Sequence, residues 1–300
     1  MATLRAVKKR IRTVVSTKRI TSAMEKVAAA KLRRAQQKVE ETRPYSRMMN
    51  QMLSHLAKGA TGEITHPYFE KRTVKKRTLV VFASDRGLCG SFNANVIREA
   101  SEWLKKIKDA ETEGAEIELV TVGKKANDYF KRREWHIAAN YTDWEGALSM
   151  DRAREMMAML TDRFVKGETD EVVFLFTRFK STVSYSVEVE PFLPISKKDI
   201  GKDKDQAADE VGINIDYIFE PSPEAIYASL MPSYAMVKMV TALVESFASE
   251  HGSRMVAMGN ATTNAGEMIE NLTLDYNKAR QGQITKELLE VVSGAEALRG

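Results

Sequence analysis

The sequence predicts a mixed α+β/α/β protein: a long antiparallel two-helix coiled coil formed by the chain ends, plus a central three-layer, Rossmann-like α/β domain. Three observations carry this. From Ser222 to about Val292 the only proline after the start is Pro232, and a seam at Met255, Met258, Thr262, Ala265, Ile269, Leu272, Tyr276 and Ala279 steps by threes and fours. A second long helical pattern fills the first 58 residues. Between them, short β-branched runs alternate with amphipathic stretches. The expected boundaries are 1–58, 77–215 and 222–293.

The first element, about Thr3 to Lys58, has apolar residues at Leu4, Val7, Ile11 and Val14, then at Ile20, Met24 and Val27. The pattern resumes at Ala28, Leu32, Ala35 and Val39 and finishes at Tyr45, Met49, Met52 and Leu56. Each stretch has helical spacing but the frame slips between them, which predicts an irregular coiled coil. Pro44 is expected to bend it, and Gly59, Gly62 and Pro67 to end it. In the centre, Thr78–Ala83, Ile117–Val122 and Val172–Thr177 read as strands of a largely parallel sheet. Asn95–Ile107 and Met150–Val165 read as the helices between them, and Val183–Val189 as an antiparallel edge strand. Ile195–Asp216 is polar and charged, and reads as an exposed loop.

The last element starts at Ser222, a capping hydroxyl, followed by Pro223 at the first helical position, where a missing N–H costs nothing. Seventy residues of helix span ~105 Å, whereas a compact globule of this length is roughly 50 Å across, so the helix is expected to project as a rod. Neither long helix can bury its apolar stripe alone, so the two should pair antiparallel. Gly252, Gly259 and Gly266 are seven apart and stack on one face. They admit another backbone at close range, or they mark a bendable stretch; both readings stand.

The net charge of +5 hides a division. Residues 1–40 hold twelve Lys/Arg against Glu25 and Glu40, leaving 34 basic and 39 acidic groups in the rest. Such a basic helix is a solvated face, or it meets nucleic acid, an anionic membrane surface or an acidic protein partner. Aromatics do not interleave with the basic residues, which counts against nucleic acid. No apolar run is long enough to span a membrane. The basic start resembles an organellar presequence, but it has no small-residue cleavage site and its helical pattern continues, so it reads as mature structure. Cys89 is the sole cysteine, which excludes a disulfide framework and a dithiol switch within the chain.

No catalytic motif is present. Gly123-Lys124-Lys125 lacks the upstream glycine and the Ser/Thr of a phosphate loop. His55, His66, His136 and His251 have no metal-ligand spacing and read as surface or loop residues, so neither a metal nor a cofactor is expected. One segment invites a nucleotide reading, and with it a Rossmann-type enzyme: Ser84–Asn93 (SDRGLCGSFN), a glycine-bearing turn at the carboxyl end of the first strand. It does not complete GxGxxG, and Asp85 and Arg86 are equally read as satisfying each other or the loop backbone.

Three blocks give the chain a family resemblance over nearly its whole length: Ile20–Leu32 (ITSAMEKVAAAKL), the SDRGLCGSFN turn, and the C-terminal segments Arg254–Met258, Asn277–Gln281, Ile284–Leu288 and Val292–Ala295. In these the sequence resembles the gamma subunits of rotary F-type ATP synthases. The resemblance implies a non-catalytic central shaft that couples ion flow through a membrane ring to ATP synthesis or hydrolysis. Its implied partners are the alpha and beta subunits, the epsilon subunit and the ring of c subunits, with no nucleic acid. It implies that Met24 and its basic neighbours Lys18, Arg19 and Lys26 face acidic levers of the beta subunits, and that Arg254, Arg280, Gln281 and Thr285 contact the catalytic subunits. Leu288 to Leu298 match the shaft tip, held in an apolar sleeve. The regulatory cysteine pair of chloroplast members is missing, and the chain begins at the family's mature start. Both point to a bacterial plasma membrane, with the protein peripheral on its cytoplasmic side.

Overall fold

The computed structural model describes residues 4–59, 66–110, 115–195 and 223–297. Five helices and five strands follow in the order α1 (Leu4–Gly59), β1 (Lys76–Phe82), α2 (Phe92–Ala110), β2 (Glu116–Val122), α3 (Lys124–Lys131), β3 (Ile137–Tyr141), α4 (Met150–Val165), β4 (Glu171–Ser181), β5 (Ser184–Leu193) and α5 (Pro223–Ala297). A 3-10 turn, Pro67–Phe69, precedes β1. Pro223 opens α5 as its position predicts, while Ser222 and the 196–216 stretch expected to loop lie outside the described residues.

The strands form one sheet ordered β3-β2-β1-β4-β5. β1 pairs parallel with both β2 and β4, β2 pairs parallel with β3, and β5 returns antiparallel along β4. β3 and α3 are additions to the sequence reading. Ile137–Tyr141 is a half-buried edge strand holding Ala138, Ala139 and Asn140, so it lacks the apolar run that marks its neighbours. α3 has only eight residues, too short for helical periodicity to stand out.

The core has two layers because strand side chains alternate. Leu79, Val81, Leu119, Val173 and Leu175 pack with Val96, Ala100 and Leu104 of α2 and Phe130 of α3. On the opposite face, Val80, Phe82, Val120, Phe174 and Phe176 pack with Met156, Leu160 and Phe164 of α4. Met49, Leu53 and Leu56 of α1 and Tyr227, Met231, Tyr234 and Leu243 of α5 join that second layer. α5 is buried on all sides from Ala242 through Gly252, and there it carries Glu245, Ser246, Ser249, Glu250 and His251 inside. Glu245 accepts hydrogen bonds from the Phe179 backbone N–H (2.7 Å) and from the Arg43 guanidinium (3.0 Å). Among the described histidines, His251 departs from the expected surface or loop placement; the His55 side chain lies outside the described residues. His251 is buried, and its Nε2 lies 3.0 Å from the Gly146 carbonyl.

The chain divides into two compact units, one holding the described residues up to Ala28 and from Arg254 onward, the other running from Ala29 to Ser253. Within the first unit, Thr262 of α5 donates a hydrogen bond to Thr21 of α1 (2.9 Å). The predicted α5 seam is covered from Met255 to Tyr276, with Met258 and Ala265 fully buried, and Ala279 is exposed.

The seam of α1 differs from its sequence reading. Ile20 and Val27 are 57% and 58% exposed, and Tyr45 and Met52 are exposed as well. One row of covered positions runs through Leu4, Val7, Ile11, Val14, then Thr21, Glu25 and Ala28, then Leu32, Ala35, Val39, Thr42, Ser46, Met49, Leu53 and Leu56. With Lys18 filling its turn, these step by three and four without a slip. The frame looked broken because polar side chains occupy five seam positions, Lys18 among them, while apolar ones face outward.

The glycine stripe also resolves. A Cβ on Gly252 would come within 2.9 Å of the Thr182 carbonyl oxygen, a backbone atom of the β4–β5 turn. At Gly259 and Gly266 the near atoms are side-chain tips of α1, Glu25 Oε1 at 3.3 Å and Lys18 Nζ at 3.1 Å. Only the first of the three glycines admits another backbone, and that backbone is a β-turn rather than α1.

Candidate partner-contact surface

α1 presents its charge outward. Of its twelve basic residues up to Lys38, eleven are exposed and Lys31 is half-buried. Among the described residues, the one ion pair these cations make is Lys38–Glu41 at 2.6 Å. Along the helix, Arg19 and Lys26 are seven apart and share an exposed row. Met24, half-buried, shares a different row with exposed Ile20 and Val27 at steps of four and three. Lys18 stands on the seam row, its ammonium against Gly266. The four residues expected together thus belong to three rows of one helix, and an outward apolar strip of Ile20, Met24 and Val27 runs beside the cationic one.

On α5, Arg254 is half-buried, whereas Arg280, Gln281 and Thr285 are exposed. The Thr285 hydroxyl donates to the Gln281 carbonyl (3.0 Å), one turn back on the same face. Every described side chain from Lys278 to Ala295 is exposed. Leu288, Leu289, Val291 and Val292 are at least 60% exposed, an apolar density that an isolated helix leaves in water at a cost of about 25 cal/mol per Å².

The Ser84–Asn93 turn lies at the carboxyl end of β1, where the strand order reverses between β2 and β4. The site is filled from within. The Asp85 carboxylate accepts backbone N–H bonds from Lys124 (3.1 Å), Asp143 (3.0 Å), Trp144 (2.8 Å) and Glu145 (3.1 Å). The Lys124 N–H opens α3, so a side-chain anion sits where an open α/β sheet would receive a phosphate. Gly123, at φ 91°, makes this approach: a Cβ there would lie 2.3 Å from the Ala83 carbonyl. Arg86 closes the turn on Glu145 (2.9 Å), and Ser84 Oγ bonds Asn93 (2.9 Å). The loop-backbone reading of Asp85 holds, and Arg86 pairs with Glu145.

Sequence reasoning missed the Arg43–Glu245 pair and the seam role of Glu25, because a carboxylate inside a helical pattern reads as solvated until its partner, 202 residues away for Arg43 and Glu245, is known. No described helix is long and apolar enough to cross a membrane.

A five-stranded, mainly parallel sheet flanked by helices, with two very long helices at the chain ends, defines a mixed α/β protein with an extended helical element. A family model described as ATP synthase matches residues 3–298. The gamma chain of Heliobacterium modesticaldum ATP synthase is 43% identical over 99% of this chain and all of that relative. The gamma chain of Anaeromyxobacter sp. is 44% identical over the full length of both. The chain belongs to the ATP synthase gamma-chain family. Its fold is similar to a chain in the mitochondrial ATP synthase of Euglena gracilis (OSCP/F1/c-ring), with a TM-score of 0.65, 21% identity, and coverage of 98% of this chain and 94% of that one. It is also similar to a chain in the central stalk/c-ring structure of the Tetrahymena thermophila mitochondrial ATP synthase, with a TM-score of 0.58, 24% identity, and 81% and 99% coverage. The nucleic-acid and Rossmann-enzyme readings give way to this membership.

Proposed function

We propose that this chain is the central rotor shaft of a rotary ATP synthase and carries no catalytic site of its own. The observation that carries the reading is the pair of terminal helices, α1 and α5, with their outward cationic row, apolar strip and exposed apolar C-terminal turns. The apolar part of these surfaces is costly in water unless a partner covers it. The partners proposed are the alpha and beta subunits around the helices, with the epsilon subunit and the c ring at the sheet domain. The boundaries 1–58, 77–215 and 222–293 then separate mechanical elements. In this role Met24, Lys18, Arg19 and Lys26, together with Arg254, Arg280, Gln281 and Thr285, meet the catalytic ring. The proposed location is the cytoplasmic face of a bacterial plasma membrane, reached through the complex.

The absence of catalysis is supported by Asp85, which takes the backbone donors a phosphate would need. Calorimetry on the isolated chain should find no stoichiometric micromolar ATP site; finding one would overturn this part. The contact reading is tested by Met24→Lys in a reconstituted enzyme. A flexible apolar side chain adapts to a moving partner, whereas a cation there pairs with an acidic lever at some rotor angles, by ~1–3 kcal/mol if partly desolvated. Ions pumped per ATP hydrolysed should fall. A wild-type ratio would remove Met24 from the contact.

A further inference from the structure

Within the second unit, α1, α5 and residues 145–150 enclose a cleft of about 730 Å³, in the size range of small-molecule sites. Its floor is apolar, formed by Val237, Val240, Val244 and Phe247 of α5 with Leu148. Its rim is cationic, with Lys31, Arg34 and Lys38 spaced three and four apart along one face of α1. The acids at the rim are already engaged: Glu41 by Lys38 at 2.6 Å and Glu145 by Arg86 at 2.9 Å. Lys31 donates to the Glu145 carbonyl (3.0 Å). Arg34 is exposed and makes no hydrogen bond or ion pair among the described residues. Two rim cations therefore have no acidic partner among the described residues: Lys31, whose ammonium is held on a neutral carbonyl, and Arg34, whose guanidinium stands at the mouth of a greasy slot. The α1 wall from Lys31 to Tyr45 covers about 21 Å at 1.5 Å per residue, so the slot is long.

An elongated apolar body ending in an anionic head matches this arrangement. A neutral chain would leave the guanidinium unused, a cationic amphiphile would be repelled by the rim, and a nucleotide would place a polar base against valines. We propose that the cleft binds a free long-chain carboxylate, its acyl chain along Val237 to Phe247 and its head on Arg34. The bidentate match between guanidinium and carboxylate fixes the orientation. This site is independent of the rotor reading.

The test is calorimetric titration of the full chain with dodecanoate below its micelle concentration, with dodecanol and dodecyltrimethylammonium as head-group controls. One saturable site is expected. Dodecanol should bind about tenfold more weakly or worse, as loss of a charge-assisted pair implies. Arg34→Glu, an exposed change that leaves packing intact, should weaken dodecanoate by a similar factor, and Arg34→Lys should recover part of it. Val240→Asp should abolish binding, with circular dichroism confirming the fold. Non-saturable uptake, equal affinity for dodecanol, or an unchanged Arg34→Glu titration would each overturn the proposal. So would binding to anionic phospholipid vesicles without binding of free dodecanoate.

Discussion

Single side chains decide much of this molecule. Asp85 gathers four backbone donors from two separate segments, α3 and the 143–145 turn. Asp85→Ala leaves those donors without their acceptor; three of the four face solvent and can turn to water, so a loss of about 1–3 kcal/mol is expected by urea unfolding, the range of hydrogen bonds to a charged group. Asp85→Asn keeps one acceptor oxygen and should lose less. Tyr227 donates its hydroxyl to the Leu53 carbonyl at 2.9 Å, and burial pushes its pKa up to about 12. An ordinary tyrosine in the unfolded chain ionises near ~10. Between those values the folded state holds a proton that the unfolded state has released, so the stabilisation is complete below pH ~10 and is lost as pH rises through ~12. Unfolding measured across that window should fall by at most about 1.4 kcal/mol per pH unit, and Tyr227→Phe should flatten that slope. Neither residue announced its role in the sequence: Asp85 was visible as part of a turn, but not the donors that it collects.

At the level of elements, strands and helices were legible where burial writes a period. β1, β2 and β4 are buried runs and α4 matched its span, because both faces of the sheet are covered. The α1 seam was misread at Ile20, Val27, Tyr45 and Met52 because hydrophobicity was followed instead of register. Thr21, Glu25, Thr42 and Ser46 keep the heptad while lowering its apolar content. The glycines of α5 give a paired test. Gly252→Ala drives a methyl against a backbone oxygen and should lower the melting temperature. Gly259→Ala meets only the tip of Glu25, which can swing aside, so helix propensity should win and the protein should be unchanged or more stable by up to ~1 kcal/mol. If both variants lose stability equally, the two contacts do not differ as described.

For the whole molecule, the division of charge was plain in the composition, and the structure turns nearly all of the N-terminal cations to solvent. The partner-contact set was readable only through family resemblance, since an exposed arginine looks the same whether or not another subunit later covers it. The end of α5 makes the distinction measurable. Residues 278–295 bury little in the isolated chain, so removing residues 289–300 should leave its melting temperature within error. The same truncation should weaken association with alpha and beta subunits, seen as a faster off-rate on an immobilised ring. A lower melting temperature in isolation would mean that the tip supports the chain rather than a partner.

Many sheets of this type gain rigidity at the strand-reversal point only when a cofactor arrives, and their stability then follows the cofactor's concentration. Here the corresponding anion is Asp85, attached to the chain itself. A covalently tethered guest cannot be diluted away, so the stiffness of this domain should be the same in a starved cell as in an energised one. For a part that is proposed to transmit torque while nucleotide levels swing around it, that indifference is a mechanical property written in one carboxylate.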